Sequence, residues 1–275
     1  MRKQRISRMN DMTTRPITKP EIDAPFGDGD LAMPGPATSM AQEWRRIGNF
    51  LKAPTLEPNG SFKSPLVTLV RVYALDLVIM LGLLTLAAVV MAAGIELPRT
   101  AIADMQITPM LIALVIIGAP VMEELIFRGW LSGRPGWLAA IIIFGAAGLG
   151  AAFWAAGHTG EAAEAGTAGI IILALLASGI VAITLRNRPV MAWFRAIFPL
   201  MFWLSALGFA LVHLANFNAT VWYAALPLVL PQLILGSMAG YVRVQVGLWA
   251  AMALHAAHNA TALAIATLAM EMGAG

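Results

Sequence analysis

The chain has 275 residues, of which 59% are hydrophobic and 12% charged, with 18 Lys+Arg against 15 Asp+Glu and no cysteine. A soluble domain carries about 25% charged residues, so half that value, with long apolar runs, places the chain in the membrane class. The absence of cysteine excludes disulfides, thiolate nucleophiles, iron–sulfur clusters and Cys-based zinc sites. A net charge of +3 does not indicate nucleic acid, because ten of the 18 basic residues lie in residues 1–63 together with seven of the 15 acids, with no aromatic-interleaved basic module.

Residues 1–40 are polar, rich in Pro, Gly and Thr, and without apolar period, which predicts a disordered, basic cytoplasmic tail. No apolar core follows "MRKQRISR", so the segment does not read as a signal peptide. In residues 41–65, "AQEWRRIGNFLKA" gives a helical wheel with Trp44, Ile47, Phe50 and Leu51 on one face and Arg45, Arg46 and Lys52 opposite. That pattern predicts a short helix lying on the cytoplasmic membrane surface, followed by a linker.

Seven apolar segments follow, at about 66–94, 108–132, 137–157, 168–185, 197–216, 222–241 and 246–270. Each is long enough to cross a hydrocarbon core of about 30 Å at 1.5 Å per residue. Arg134, then Arg186, Arg188 and Arg195, then Arg243 occupy alternate loops, whereas the intervening loops balance Arg99 with acids or carry Glu161 and Glu164. The positive-inside rule then sets the N-terminus in the cytoplasm and the C-terminus outside. The expected fold is an all-α polytopic bundle of about seven spans over 66–272, in the cytoplasmic (inner) membrane. The Gly- and Ala-rich third and fourth segments are also compatible with re-entrant helices. Gly236 and Gly240 have the spacing of close helix packing.

An ionisable side chain inside a span is a functional-site hypothesis by default. Arg71 lies near a span end and can snorkel, and Asp76 lies deeper and needs a partner, which reads as a structural polar contact. On the second span Glu124 and Arg128 are four apart and share a face, with the geometry of an ion pair. Glu123 is rotated by about 100° and remains uncommitted. Burial and a neighbouring cation act on it in opposite directions, which can poise a carboxylate as a general base. Phe209 and His213 are four apart on the fifth span, as are His255 and Asn259 on the seventh. Counted from Arg134, Pro199 and Arg243, the residues Glu123, His213 and His255 lie 11, 14 and 12 positions into their spans. That places all three roughly 16–21 Å from one end of the bundle, at a common level.

These residues form the ordered set Glu123-Glu124-Leu-Ile-Phe-Arg128, Phe209-Ala-Leu-Val-His213 and His255-Ala-Ala-His-Asn259. The set resembles the EExxxR, FxxxH and HxxxN motifs of the CPBP family of intramembrane proteases (type II CAAX prenyl endopeptidases and bacteriocin-processing enzymes, also called Abi), over roughly residues 108–262. The resemblance implies an intramembrane endopeptidase acting on a membrane-embedded or lipid-modified peptide. Glu123 would be the general base assisted by His213, His255 and Asn259 would form the oxyanion site, and Glu124, Arg128 and Phe209 would support them. It implies a metal-free mechanism; a zinc ion on Glu123, His213 and His255 is the rival, although no HExxH is present. The alternative function is a non-catalytic immunity or partner-stabilising protein of the same fold. About 80 residues separate the first two motifs, and the extra stretch, 137–190, reads as an inserted helical hairpin. Within it, Trp154 and His158 mimic the aromatic-xxx-His pattern. His213 is preferred because its flanks match better and His158 sits in a Gly-rich loop. His258 shares the helix of His255 and is a second alternative histidine.

Overall fold

The computed structural model describes residues 37–57, 64–100, 106–218, 222–271 and 273. Most of the expected disordered tail, and part of the linker before residue 65, therefore lie outside the described residues. Nine helices account for most of the described chain, and the only ladder among these residues is a two-residue antiparallel pairing of β1 (Arg99–Thr100) with β2 (Phe217–Asn218). The fold is all-α.

Helix α1 (Met40–Lys52) starts where Ser39 caps it, its hydroxyl accepting the Gln42 amide at 3.2 Å. The structure changes one expectation here. The apolar face of α1 is covered by protein: Ile47 and Phe50 are buried, and Phe50 packs edge-on against Phe202 and Tyr241. Amphipathy requires an apolar partner and is indifferent to whether that partner is lipid or a neighbouring helix.

The long helices are α2 (Pro65–Ala92), α3 (Pro109–Arg128), α4 (Pro135–Gly157) and α5 (Gly160–Thr184). Short α6 (Ala192–Ala196) then precedes α7 (Phe198–Val212), a 3₁₀ turn (His213–Asn216), a longer 3₁₀ stretch (Trp222–Val229), α8 (Leu230–Gln245) and α9 (Leu248–Glu271). Proline occupies the first turn of α2, α3, α4, α7 and α8, where its missing N–H costs nothing. Six of the described helical segments are long and apolar enough to cross a membrane. Helix α9, the seventh predicted span, has the length but is less apolar, because His255, His258 and Asn259 interrupt it. The third and fourth segments are full-length helices packed on each other as an antiparallel hairpin; α5 begins earlier than predicted, at Gly160, since Glu161 and Glu164 lie on its first turns.

Apolar residues such as Leu81, Leu149, Phe153, Leu173 and Ile180 point outward, as a lipid-covered surface requires. With lipid outside, burial of apolar area does not by itself drive helices together, so close packing and polar contacts must do so. Helix α8 is the axis: 56% of its apolar stretch is buried, against 11% in each of α2 to α5. A Cβ on Gly240 would come within 2.6 Å of the Phe202 ring, so the glycine is what admits this aromatic. The core continues through Phe194, Phe198, Phe202, Phe209 and Tyr241.

Candidate active site

The site begins with an irregularity in α3. Residues Leu114–Gly118 form a π turn, in which the Ala119 amide donates to the Leu114 carbonyl five residues back. In that register Pro120 would be the donor to Val115, and proline has no N–H. The Asn259 Nδ2 of α9 donates to the Val115 carbonyl instead, at 2.9 Å. A side chain from one motif thus repairs the backbone ahead of another. This fixes α3 against α9 just before Glu123 and Glu124.

Behind Glu123 lies a buried ionic layer. Glu124 and Arg128 are fully buried, with Nη1 3.2 Å from Oε1, as their spacing predicts. His255 also uses Glu124, its Nδ1–H donating to Oε1 at 2.9 Å. The Arg128 guanidinium lies over the Phe209 ring, 4.1 Å from its centroid. The same ring meets His213 at 4.6 Å and His255 edge-on at 5.3 Å. Gly236 leaves the space for this stack, since a Cβ there would sit 2.9 Å from Arg128 Nη2 and 3.1 Å from Phe209 Cδ1. The carbonyls at the end of α3 are claimed from two sides: Ser205 Oγ donates to Phe127 at 2.5 Å and Arg243 Nε donates to Arg128 at 3.1 Å.

Glu123 is the carboxylate left in front of this layer, partly exposed at 28%. Its Oε2 lies 3.6 Å from His213 Nε2 and 3.8 Å from His255 Nε2. Both separations are longer than direct hydrogen bonds. The tautomers follow from the other ring nitrogens. His213 Nδ1 faces the Phe209 carbonyl at 2.7 Å, and His255 Nδ1 faces a carboxylate; both partners only accept, so both Nδ1 atoms carry protons. Each ring turns its Nε2 toward Glu123.

The structure brings Glu123, His213 and His255 together, with Glu124, Arg128 and Phe209 directly behind them. Asn259 shares the α9 face of His255, with one amide hydrogen engaged by Val115. His158 stands apart: exposed at the turn between α4 and α5, it stacks on Trp154 and donates to the Trp154 carbonyl at 2.9 Å. His258 is engaged elsewhere, with Nδ1 2.9 Å from Asp76 Oδ2 in a buried contact between α9 and α2. This is the partner Asp76 required, and nothing in the sequence pairs two residues so distant. Arg71 donates to the carbonyls of Ala37 and Thr38, at 2.8 and 3.2 Å, and lies 4.0 Å from Glu43. Among the described residues no group of three His, Asp or Glu stands in an arrangement that would hold a metal ion.

Fold and cluster together define a multi-pass integral membrane protein with a Glu–His–His group embedded among its helices. Residues 105–194 and 188–261 match the family model for Type II CAAX prenyl endopeptidase Rce1-like proteins, and the chain belongs to that family. The match spans all the site residues and more than half of the chain, and it agrees with the resemblance drawn from the three motifs. No curated protein and no solved structure gives a match.

Proposed function

We propose that the chain is an intramembrane endopeptidase that hydrolyses a membrane-embedded or lipid-modified peptide with water activated by Glu123 and His213. The observation that carries this reading is the approach of two imidazole Nε2 atoms to one carboxylate oxygen, at 3.6 and 3.8 Å. A water beside the pair donates one O–H to the Glu123 carboxylate and the other to His213 Nε2, and turns its lone pair to a peptide carbonyl carbon. As the C–O bond forms, Glu123 takes the proton, then returns it to the leaving amine as the C–N bond breaks. For His255 to donate an Nε2–H to the tetrahedral oxyanion its ring must take a proton from solvent before the peptide binds, a proton it keeps when the oxyanion collapses, while Glu124 Oε1 accepts its Nδ1–H. The second amide hydrogen of Asn259 is available to the same oxyanion. Arg128 balances Glu124, and Phe209 holds Arg128 and both rings. The scheme uses no metal.

The test is cleavage of membrane peptides by the purified, reconstituted chain. Glu123→Gln, His213→Ala and His255→Ala should each lower turnover by about a hundredfold or more while leaving an inserted, folded protein. The Glu123→Gln variant is also the form to use for trapping bound peptide for mass spectrometry. Full activity of Glu123→Gln removes the general-base role. A zinc ion on Glu123, His213 and His255 predicts loss on chelation and recovery with zinc, whereas the metal-free scheme predicts no response to either.

A further inference from the structure

Between α3 and the α4–α5 hairpin lies a cavity of about 400 Å³ that is separate from the Glu–His–His group. Its walls are Met122 and Ile126 of α3, Ile141 and Phe144 of α4 and Leu175 of α5, with Arg186 at one end. The serine in the wall, Ser178, already donates to the Ala140 carbonyl at 3.0 Å. A peptide segment inside a membrane must satisfy its backbone N–H and C=O groups, and apart from Trp137 and Arg186 these walls carry no polar side chain free to do so. An alkyl chain has no such need. From Leu175 to Arg186 the groove runs eleven residues along α5 and just beyond it, roughly 16 Å.

The end of the groove selects the head of that chain. Arg186 lies two residues past the last residue of α5, Thr184, where helix meets interface. Its side chain is exposed and has no acceptor among the described residues. Arg134 Nη1 donates to the Arg186 carbonyl at 2.6 Å and to the Arg188 carbonyl at 3.5 Å, which gathers three arginines at this corner. The nearby acid Glu57 is already in a 2.8 Å ion pair with Arg195. Basic pockets between transmembrane helices at the interface are anion sites for lipid headgroups.

We propose that this groove is a binding site for an anionic glycerophospholipid of the bilayer, with an acyl chain between α3 and the hairpin and the phosphate on Arg186. A phospholipid places its phosphate at the membrane–water boundary, which is where Arg186 stands. The site does not depend on the protease reading, and its occupancy is measured without substrate.

The experiment is native mass spectrometry of the full chain in mild detergent with equimolar phosphatidylglycerol and phosphatidylcholine of identical acyl chains. Phosphatidylglycerol should be retained preferentially, and Arg186→Gln should reduce its retention about fivefold. Gly179, also in the wall, has open space beside it, so Gly179→Leu should fill the groove and lower phosphatidylglycerol retention with Arg186 intact. The wild-type chain gives a readout that does not rely on any variant folding. Phosphatidylglycerol with a mid-chain diazirine should crosslink to the facing residues of α3, α4 and α5. Equal retention of the two lipids, no effect of Arg186→Gln, or crosslinks spread over the outer faces of α2 and α5 would each overturn the proposal. So would displacement by a neutral long-chain alcohol as effective as displacement by phosphatidylglycerol itself, since that occupant would be any alkyl chain, including one attached to a substrate.

Discussion

Replacing Arg128 with Met leaves Glu124 buried with no cation, and the structure sets the size of the effect. Both side chains are fully buried and 3.2 Å apart, so the surface figure of about 0–1 kcal/mol for an ion pair does not apply. Removing one member of a buried pair typically costs about 3–5 kcal/mol, because the remaining charge has neither water nor partner. Replacing both members by groups of similar volume is often neutral, since the desolvation cost disappears along with the attraction. Arg128→Met should therefore destabilise the bundle by about 3–5 kcal/mol, and Glu124→Gln with Arg128→Met should recover most of that loss. Turnover should not recover with it, because Glu124 also accepts the His255 Nδ1–H. The assay is reversible denaturation in mixed micelles for the four proteins of the cycle, with peptide cleavage measured on the same samples. A coupling near zero would refute the buried-pair argument. A stable and fully active double variant would refute the role assigned to Glu124 in holding His255.

Pro120→Ala restores an N–H that can reach the Val115 carbonyl. Asn259→Leu should then cost about 1–3 kcal/mol in the native background and distinctly less beside Pro120→Ala, measured by thermal unfolding. Gly236→Ala places a methyl 2.9 Å from Arg128 Nη2 and should destabilise by about 1–3 kcal/mol. Gly148→Ala, on α4 with nothing within 4 Å, should be neutral or gain about 0.5–1 kcal/mol, so a melting curve of each separates crowding from helix propensity. Asp76→Ala removes the partner of His258 and should lower stability by about 1–3 kcal/mol; a smaller loss in a His258→Ala background would show that the two act as a pair.

The level of the cluster was legible in the sequence because loop arginines mark where spans end. Counting from Arg134, Pro199 and Arg243 puts Glu123, His213 and His255 at one height, and their side chains do meet. Helical spacing likewise carried the Glu124–Arg128 pair. Periodicity could not reveal what a residue does once another helix arrives. Asn259 shares the face of His255, yet one of its amide hydrogens goes to Val115, a carbonyl orphaned by a proline five residues along α3. Asp76 and His258 each had a visible need for a partner, but their pairing depends on how α2 lies against α9. For α1 the wheel gave the buried face correctly and named the wrong cover.

That last helix also decides where the folded unit can be cut. Tyr241, in the last two turns of α8, donates its hydroxyl to Glu43 at 2.7 Å, and Trp44 donates to the Arg71 carbonyl at 2.9 Å. A chain trimmed to its apolar segments would begin near residue 65 and leave Tyr241 without its acceptor and Phe202 without the ring of Phe50. A piece intended to fold should therefore keep α1, together with Ala37 and Thr38, whose carbonyls accept from Arg71.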